Sequence, residues 1–227
     1  MSVVEHAALL ERLKQNGWNF QTFYDVGANI GGWTREAKRV FPEARFELFE
    51  PLAGRFQELD GASLWDKLDN CGFHAAALSN ENGTTRMKLL GSRGVGSSIV
   101  LLESDVRKPL VFVDVPMRRM DDVARDENLA PPDFIKLDVQ AAELKVLEGA
   151  PNCLAAAQMV LVETWARRVY GPETPLFHEL AAFLYRRDYV MFDLLLAADG
   201  RDPNGDLRWF DAVFVNKRFS GHPAALL

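Results

Sequence analysis

The chain has 227 residues, 48% hydrophobic and 26% charged, a globular composition that excludes an intrinsically disordered chain. Its 26 basic residues against 32 acidic ones leave a formal net charge of −6, so no bulk cationic field exists to hold a polyphosphate backbone, and nucleic acid is not an expected partner. Cys71 and Cys153, far apart and without further cysteines, exclude a disulfide framework and a four-cysteine zinc site and fit a reducing, cytoplasmic setting.

Residues 1–13 carry Glu5 and Glu11 and lack the basic start and long apolar centre of a signal peptide. Val3, Val4, Ala7, Ala8, Leu10 and Leu13 follow a helical period instead, and Asn16-Gly17 stops it, so residues 1–19 read as an amphipathic helix preceding the core. A buried strand is expected over 20–26. It runs into Gly27-Ala28-Asn29-Ile30-Gly31-Gly32 and then a helix over 33–40 that Pro42 ends. A second strand over 45–49 reaches Glu50-Pro51, with a helix after it over 53–59.

The middle of the chain is richer in loops. A third strand is expected over 73–78, then the turn Asn80-Glu81-Asn82-Gly83, a hairpin-like stretch over 84–90, and a glycine- and serine-rich loop over 91–98 suited to substrate contact or plain connection. Beyond it come a strand over 111–117, a helix over 121–129, a strand over 134–139 and a helix over 142–147 that Gly149 and Pro151 close. A strand over 159–162 ends at Glu163, a helix covers 175–187, and strands follow over 189–195 and 209–215. The longest nearly uncharged stretch, 153–162, is about half the roughly 20 residues that cross a bilayer, so no membrane span is expected.

Strands alternating with helices predict a mostly parallel sheet covered on both faces, because parallel connections need crossover helices. One α/β domain spanning 1–227 is the expected organisation. Ligands on such sheets bind beyond the carboxyl ends of the strands, and four acids fall at predicted strand ends: Asp25, Glu50, Asp138 and Glu163.

The glycine turn after Asp25 and the acid 23 residues beyond Gly27 form a two-part signal. Glycine lets backbone N–H groups approach a ligand, and Glu50 can accept hydrogen bonds from both hydroxyls of a ribose. Gly27-x-x-x-Gly31 lacks the three-glycine pattern of dinucleotide sites, which disfavours a nicotinamide cofactor, and no lysine follows it as in a P-loop. A cofactor with ribose and a small zwitterion in place of phosphates fits, as S-adenosylmethionine does.

The motifs Asp25-Val26-Gly27-Ala28-Asn29-Ile30-Gly31, Phe49-Glu50-Pro51, Ile135-Lys136-Leu137-Asp138-Val139-Gln140-Ala141-Ala142-Glu143, Leu147-Glu148-Gly149-Ala150 and Leu161-Val162-Glu163 resemble, in order and spacing, those of the FkbM family of S-adenosylmethionine-dependent methyltransferases. The resemblance runs from about residue 23 to 215. It implies a Rossmann-like class I methyltransferase fold, with a seven-stranded sheet whose last strand is antiparallel, and O-methylation of hydroxyls on sugars, glycolipids or natural products. By the same resemblance Asp25, Gly27, Asn29 and Gly31 frame the methionine part of the cofactor and Glu50 holds the ribose. The chain departs from the family pattern at Ala141, where glycine is usual; alanine at positive φ would cost roughly 1 kcal/mol or more.

Methyl transfer from a sulfonium is an in-line displacement that relies on positioning, while an alcohol acceptor must lose a proton. Asp138 and Glu163 are the candidates to take it, Asp138 also being placed to anchor the cofactor's amino group. Gln140, Glu143 and Trp165 are candidate acceptor contacts, with helix-dipole stabilisation as the alternative for Glu143 and ordinary packing for Trp165. Ala77 is a candidate neighbour of the adenine, or a core residue. No metal-ligand spacing is present, so no divalent ion is expected. Other readings stay open: an N-methyltransferase of protein or nucleic acid, disfavoured because Asp138-Val139-Gln140 stands where an Asn/Asp-Pro-Pro-aromatic tetrad would hold a planar amine, and a cofactor-binding module without turnover.

Overall fold

A computed structural model describes residues 3–53, 68–89 and 111–219. The loop expected over 91–98 and nearly all of the helix expected over 53–59 lie outside these residues.

Among the described residues, ten strands form two sheets. The larger contains β1 (Thr22–Val26), β2 (Arg45–Phe49), β3 (Cys71–His74), β7 (Phe134–Leu137), β8 (Met159–Trp165), β9 (Tyr189–Leu195) and β10 (Trp209–Asn216) in the order β3-β2-β1-β7-β8-β10-β9. β1 pairs in parallel with β2 and β7, and β2 with β3 and β7 with β8 likewise, whereas β10 is antiparallel to both its neighbours. Alternate residues of the central strands feed two separate cores, as a sheet buried on both sides requires. Tyr24, Val26, Ile135, Leu137, Val160 and Val162 pack against one set of helices: α3 (Met120–Asp126), α4 (Glu143–Glu148), α5 (Pro151–Ala156) and α6 (Phe177–Tyr185). Phe23, Phe46, Phe134 and Leu161 face α1 (Val3–Gln15) and α2 (Gly32–Val40), with Phe23 stacked on Phe46 at 4.7 Å between ring centroids.

The smaller sheet has the order β4-β6-β5, with β4 (Ala77–Ser79) parallel and β5 (Gly83–Leu89) antiparallel to β6 (Val111–Arg119). It corrects the single strand expected over 73–78. The chain leaves the large sheet at His74, where a tight turn closes with Ala76 N–H donating to His74 O at 3.0 Å, and re-enters the small one at Ala77. An apolar run records burial but not which sheet supplies it. Two boundaries also differ. Pro151 opens α5 rather than closing α4, since its missing N–H is no loss at a helix start. β8 continues to Trp165 because β10 pairs with it that far, so Glu163 lies inside the strand, opposite Asp211.

No helix among the described residues is long and apolar enough to cross a membrane.

Candidate active site

The chain runs β1 to β2 to β3 on one side of β1 and resumes on its other side at β7, so the topological switch lies between β1 and β7, where doubly wound sheets bind ligands. Gly27 and Asp138 close this point. Gly27 has φ +77°, and a Cβ there would sit 1.9 Å from the Asp138 carbonyl oxygen. Its glycine is thus required first by the meeting of two main chains, in addition to any approach of a ligand. Gly27→Ala is expected to cost about 3 kcal/mol or more, read as a lowered denaturant midpoint, because a wrong-handed backbone and a collision with main chain add together.

Gly31, at φ +73°, precedes the first turn of α2, which has no side-chain cap, and a Cβ on Gly32 would meet nothing within 4 Å. No side chain therefore caps this helix start, and the backbone at Gly32 is uncrowded. Asn29, at φ +49°, accepts the Ile30 N–H on its side-chain oxygen at 2.8 Å and donates its own backbone N–H to Glu50 Oε2 at 2.9 Å. Glu50 Oε1 accepts from Leu52 N–H, also at 2.9 Å, so the carboxylate is clamped by two amides directly after β2. Burial nevertheless pushes the Glu50 carboxyl up to about 7, against the pull of those amides and of Lys136.

Asp25 is fully buried and shared between two partners: Thr34 on α2 donates to Oδ2 at 2.7 Å and Lys136 Nζ to Oδ1 at 2.9 Å. Lys136 also donates to Gly27 O at 3.1 Å and lies 3.9 Å from Asp138 Oδ2. Burial alone would lower this ammonium's pKa, but Asp25 and Asp138 outweigh it and hold it above the usual lysine value.

Asp138, Gln140, Glu143 and Glu163, separate in the sequence reading, form one group. Gln140 Nε2 donates to Asp138 Oδ1 at 2.8 Å and to Glu163 Oε2 at 3.0 Å. Gln140 and Ala141 take φ +55° and +78°, so the position where the resemblance leads one to expect glycine is left-handed here, with alanine in it. This turn is held by Glu143, whose Oε1 accepts the N–H groups of Val139 at 3.2 Å and Ala141 at 3.1 Å. Glu143 Oε2 is buried without a hydrogen-bond partner among the described residues, and burial with the charge of Asp138 pushes this carboxyl up to about 8. Glu163 stands well above the ordinary carboxylate range, through burial first and then Asp138, Glu143 and Asp211. Asp138 is raised by burial against the pull of Lys136 and Gln140.

Trp165, two residues beyond Glu163, packs with Ala141, Tyr170, Ala197 and Trp209 in a small apolar cluster beside these carboxyls. Ala77 belongs to the small sheet, where it packs with Leu52, Met87 and Val115. Sequence reasoning assigned no role to Lys136, Asp211, His6 or Tyr170. Lys136 and Asp211 had a signal, each being a charge within an otherwise apolar strand. His6, whose Nε2 lies 2.9 Å from Asp211 Oδ2 across 205 residues of chain, had none.

A seven-stranded sheet in this order, with β10 antiparallel and a glycine turn at the switch beside β1, is the architecture of class I methyltransferases. Two solved structures share it. An FkbM methyltransferase from Methylobacillus flagellatus KT aligns with TM-score 0.54 at 17% identity over 87% of this chain, which spans 44% of that protein's length. Magnesium protoporphyrin IX methyltransferase from Synechocystis PCC 6803, solved with bound S-adenosylmethionine, aligns with TM-score 0.52 at 10% identity over 95% of this chain and 78% of that one. The FkbM methyltransferase domain matches residues 25–191, and methyltransferase sdnD of Sordaria araneosa is 30% identical over 191 residues, 72% of this chain and 74% of that protein. The chain belongs to the FkbM methyltransferase family.

Proposed function

We propose that this methyltransferase uses S-adenosylmethionine to methylate a hydroxyl group on a small carbohydrate-like or natural-product acceptor, with residues 1–227 acting as one domain. The observation that carries the reading is the clamped Glu50 carboxylate beside an uncapped helix start at the switch of the sheet. Its two oxygens are fixed by amides, each retaining a lone pair for a ribose hydroxyl. The amides opening α2 suit the carboxylate end of the cofactor. Asp25, Gly27, Asn29 and Gly31 would frame that end, Asp138 would receive its amino group, and Ala77 would border the adenine side.

S-adenosylmethionine, when bound, supplies a methyl group already activated by a positive sulfur. The chain's own part is then to hold the acceptor in line, to exclude water and to take one proton. We assign the last task to Asp138, directly after β7, and Glu163, within the adjacent β8: Asp138, beside Lys136, is the acceptor of the proton, and Glu163, with its raised affinity for protons, retains one and donates a hydrogen bond. Gln140 and Glu143 shape the turn beneath the acceptor, and Trp165 forms an apolar wall.

Calorimetry tests the cofactor assignment. S-adenosylmethionine and S-adenosylhomocysteine are expected to bind, and Glu50→Gln to weaken both roughly 10- to 100-fold, the cost of losing a charge-assisted contact. The ionised form of Glu50 accepts the ribose, so affinity should fall as pH drops through about 7, roughly tenfold from pH 8 to 6, and the Gln variant should lose this dependence. Absence of binding by the unaltered protein would overturn the reading. Methyl transfer to a panel of hydroxylated acceptors, set beside peptide and RNA pools, then separates O-methylation from N-methylation and from binding without turnover.

A further inference from the structure

The loop between β8 and α6 brings Tyr170 to the carboxylate pair, and its phenol O–H donates to Gln140 Oε1. An amide nitrogen has two N–H bonds and no acceptor, so the observed orientation places both on carboxylate oxygens, one of Asp138 and one of Glu163. The reverse orientation would set the amide oxygen against those same oxygens. A carbonyl facing them is tolerable only where they carry protons. The phenol occupies the amide oxygen on the far side and so removes the reason for Gln140 to turn.

Tyr170 is itself held firmly. It is buried, and its ring meets Trp165 edge-on at 5.1 Å between centroids. Its backbone N–H donates to Thr174 Oγ1 at 2.9 Å, and Arg168 ties the loop to Pro172 O at 3.0 Å and to Glu179 on α6 at 2.7 Å.

We propose that Tyr170 is a positioning residue for the Asp138 and Glu163 pair, fixing through Gln140 the distribution of protons between the two carboxyls. The inference rests on the reading of that pair as the group that receives the acceptor's proton. Other charged groups also face the pair: Lys136 from β7, Asp25 from β1, Glu143 from α4, and Asp211 from β10 with His6 of α1 at its side. The Tyr170 hydroxyl acts instead on the Gln140 oxygen, to which it donates. The Gln140 hydrogen bond works with Lys136 to lower the proton affinity of Asp138 against the effect of burial.

Infrared titration of the ligand-free protein tests this, following the carboxyl C=O stretch with bands assigned through Asp138→Asn and Glu163→Gln. Tyr170→Phe keeps the ring and its packing and removes only the hydroxyl. The midpoint of the pair is expected to rise by about one pH unit, because N–H donation to a carboxylate is lost and the freed amide oxygen accepts from the protonated acid. Gln140→Leu should give the same rise, and the double variant no more than Gln140→Leu alone. An unchanged midpoint in Tyr170→Phe, or shifts that add in the double variant, would overturn the proposal, since simple packing lowers the melting temperature without moving the titration. If Tyr170→Phe does not fold, Thr174→Val, which unseats the tyrosine backbone, is expected to raise the midpoint too, and no movement there overturns the proposal equally. No cofactor or acceptor is in the sample, so failure of S-adenosylmethionine to bind would sink the methyltransferase chemistry and leave this result standing.

Discussion

Lys136→Met is expected to lower the free energy of unfolding at pH 7 by about 3–5 kcal/mol, measured by urea denaturation. The lysine is 3% exposed, within 2.9 Å of Asp25 and 3.9 Å of Asp138, and it also donates to the Gly27 carbonyl. Methionine fills the space of its methylene stem, so the loss measures charge and hydrogen bonding rather than a cavity. What remains is a buried carboxylate at Asp25 whose compensation has fallen to one Thr34 hydroxyl. Such a group either stays ionised at high cost or takes up a proton that the structure did not provide for. Asp25→Asn combined with Lys136→Met should recover part of the loss, because the two substitutions act on one pair and are not additive. A loss below about 1 kcal/mol for Lys136→Met would mean that the site is not organised around this cation.

Stability should also fall as pH rises from about 5 to 8. Burial pushes the Glu50 and Glu143 carboxyls up from the ordinary 4.5 to about 7 and about 8, and Glu163 also stands well above the ordinary carboxylate range. A carboxyl raised in the native state holds a proton that the unfolded chain releases, so its contribution is complete below about 4.5 and is lost as pH climbs through the native value. Each pKa unit corresponds to about 1.4 kcal/mol, and the shifts together amount to a few kcal/mol after allowance for their coupling. Lys136 does not oppose the trend, since its raised pKa keeps it charged throughout this range. Glu47 works the other way, its carboxyl being lowered by His74 and Arg45 against the effect of burial, and so it sets a decline at acid pH. The melting temperature is expected to be highest near pH 5 and to drop by at least about 5 °C by pH 8. Glu143→Gln keeps an oxygen for the Val139 and Ala141 N–H groups and should flatten that drop; an unaltered slope would show that Glu143 is ionised in the folded protein.

Residues 22–26 and 45–49 show how far the sequence reading reached. Their apolar patterns, bounded by Gly27 and Pro51, were enough to place both strands, the turn between β1 and α2, and the acid that ends β2. Local pattern works here because β1 is buried along its whole length and β2 beyond Arg45, and each turn carries its own glycine or proline. The same reasoning failed between His74 and Ala77, because burial in either of two sheets leaves the same apolar signature. It failed again at Glu163, where a charge was read as the end of a strand that in fact continues through it opposite another acid.

By itself, the sequence determined the α/β class, most of the order of the elements and the glycine turn with its partner Glu50, all of which depend on residues near one another in the chain, but not the helix Pro151–Ala156. Only the tertiary structure decided the insertion of β10 between β8 and β9, the second sheet, and the joining of Asp25 to Lys136, Gln140 to Tyr170 and His6 to Asp211 across 111, 30 and 205 residues. The reason is physical: the proton affinity of a carboxyl is set by what folding buries beside it, and neither composition nor periodicity records which distant groups those will be.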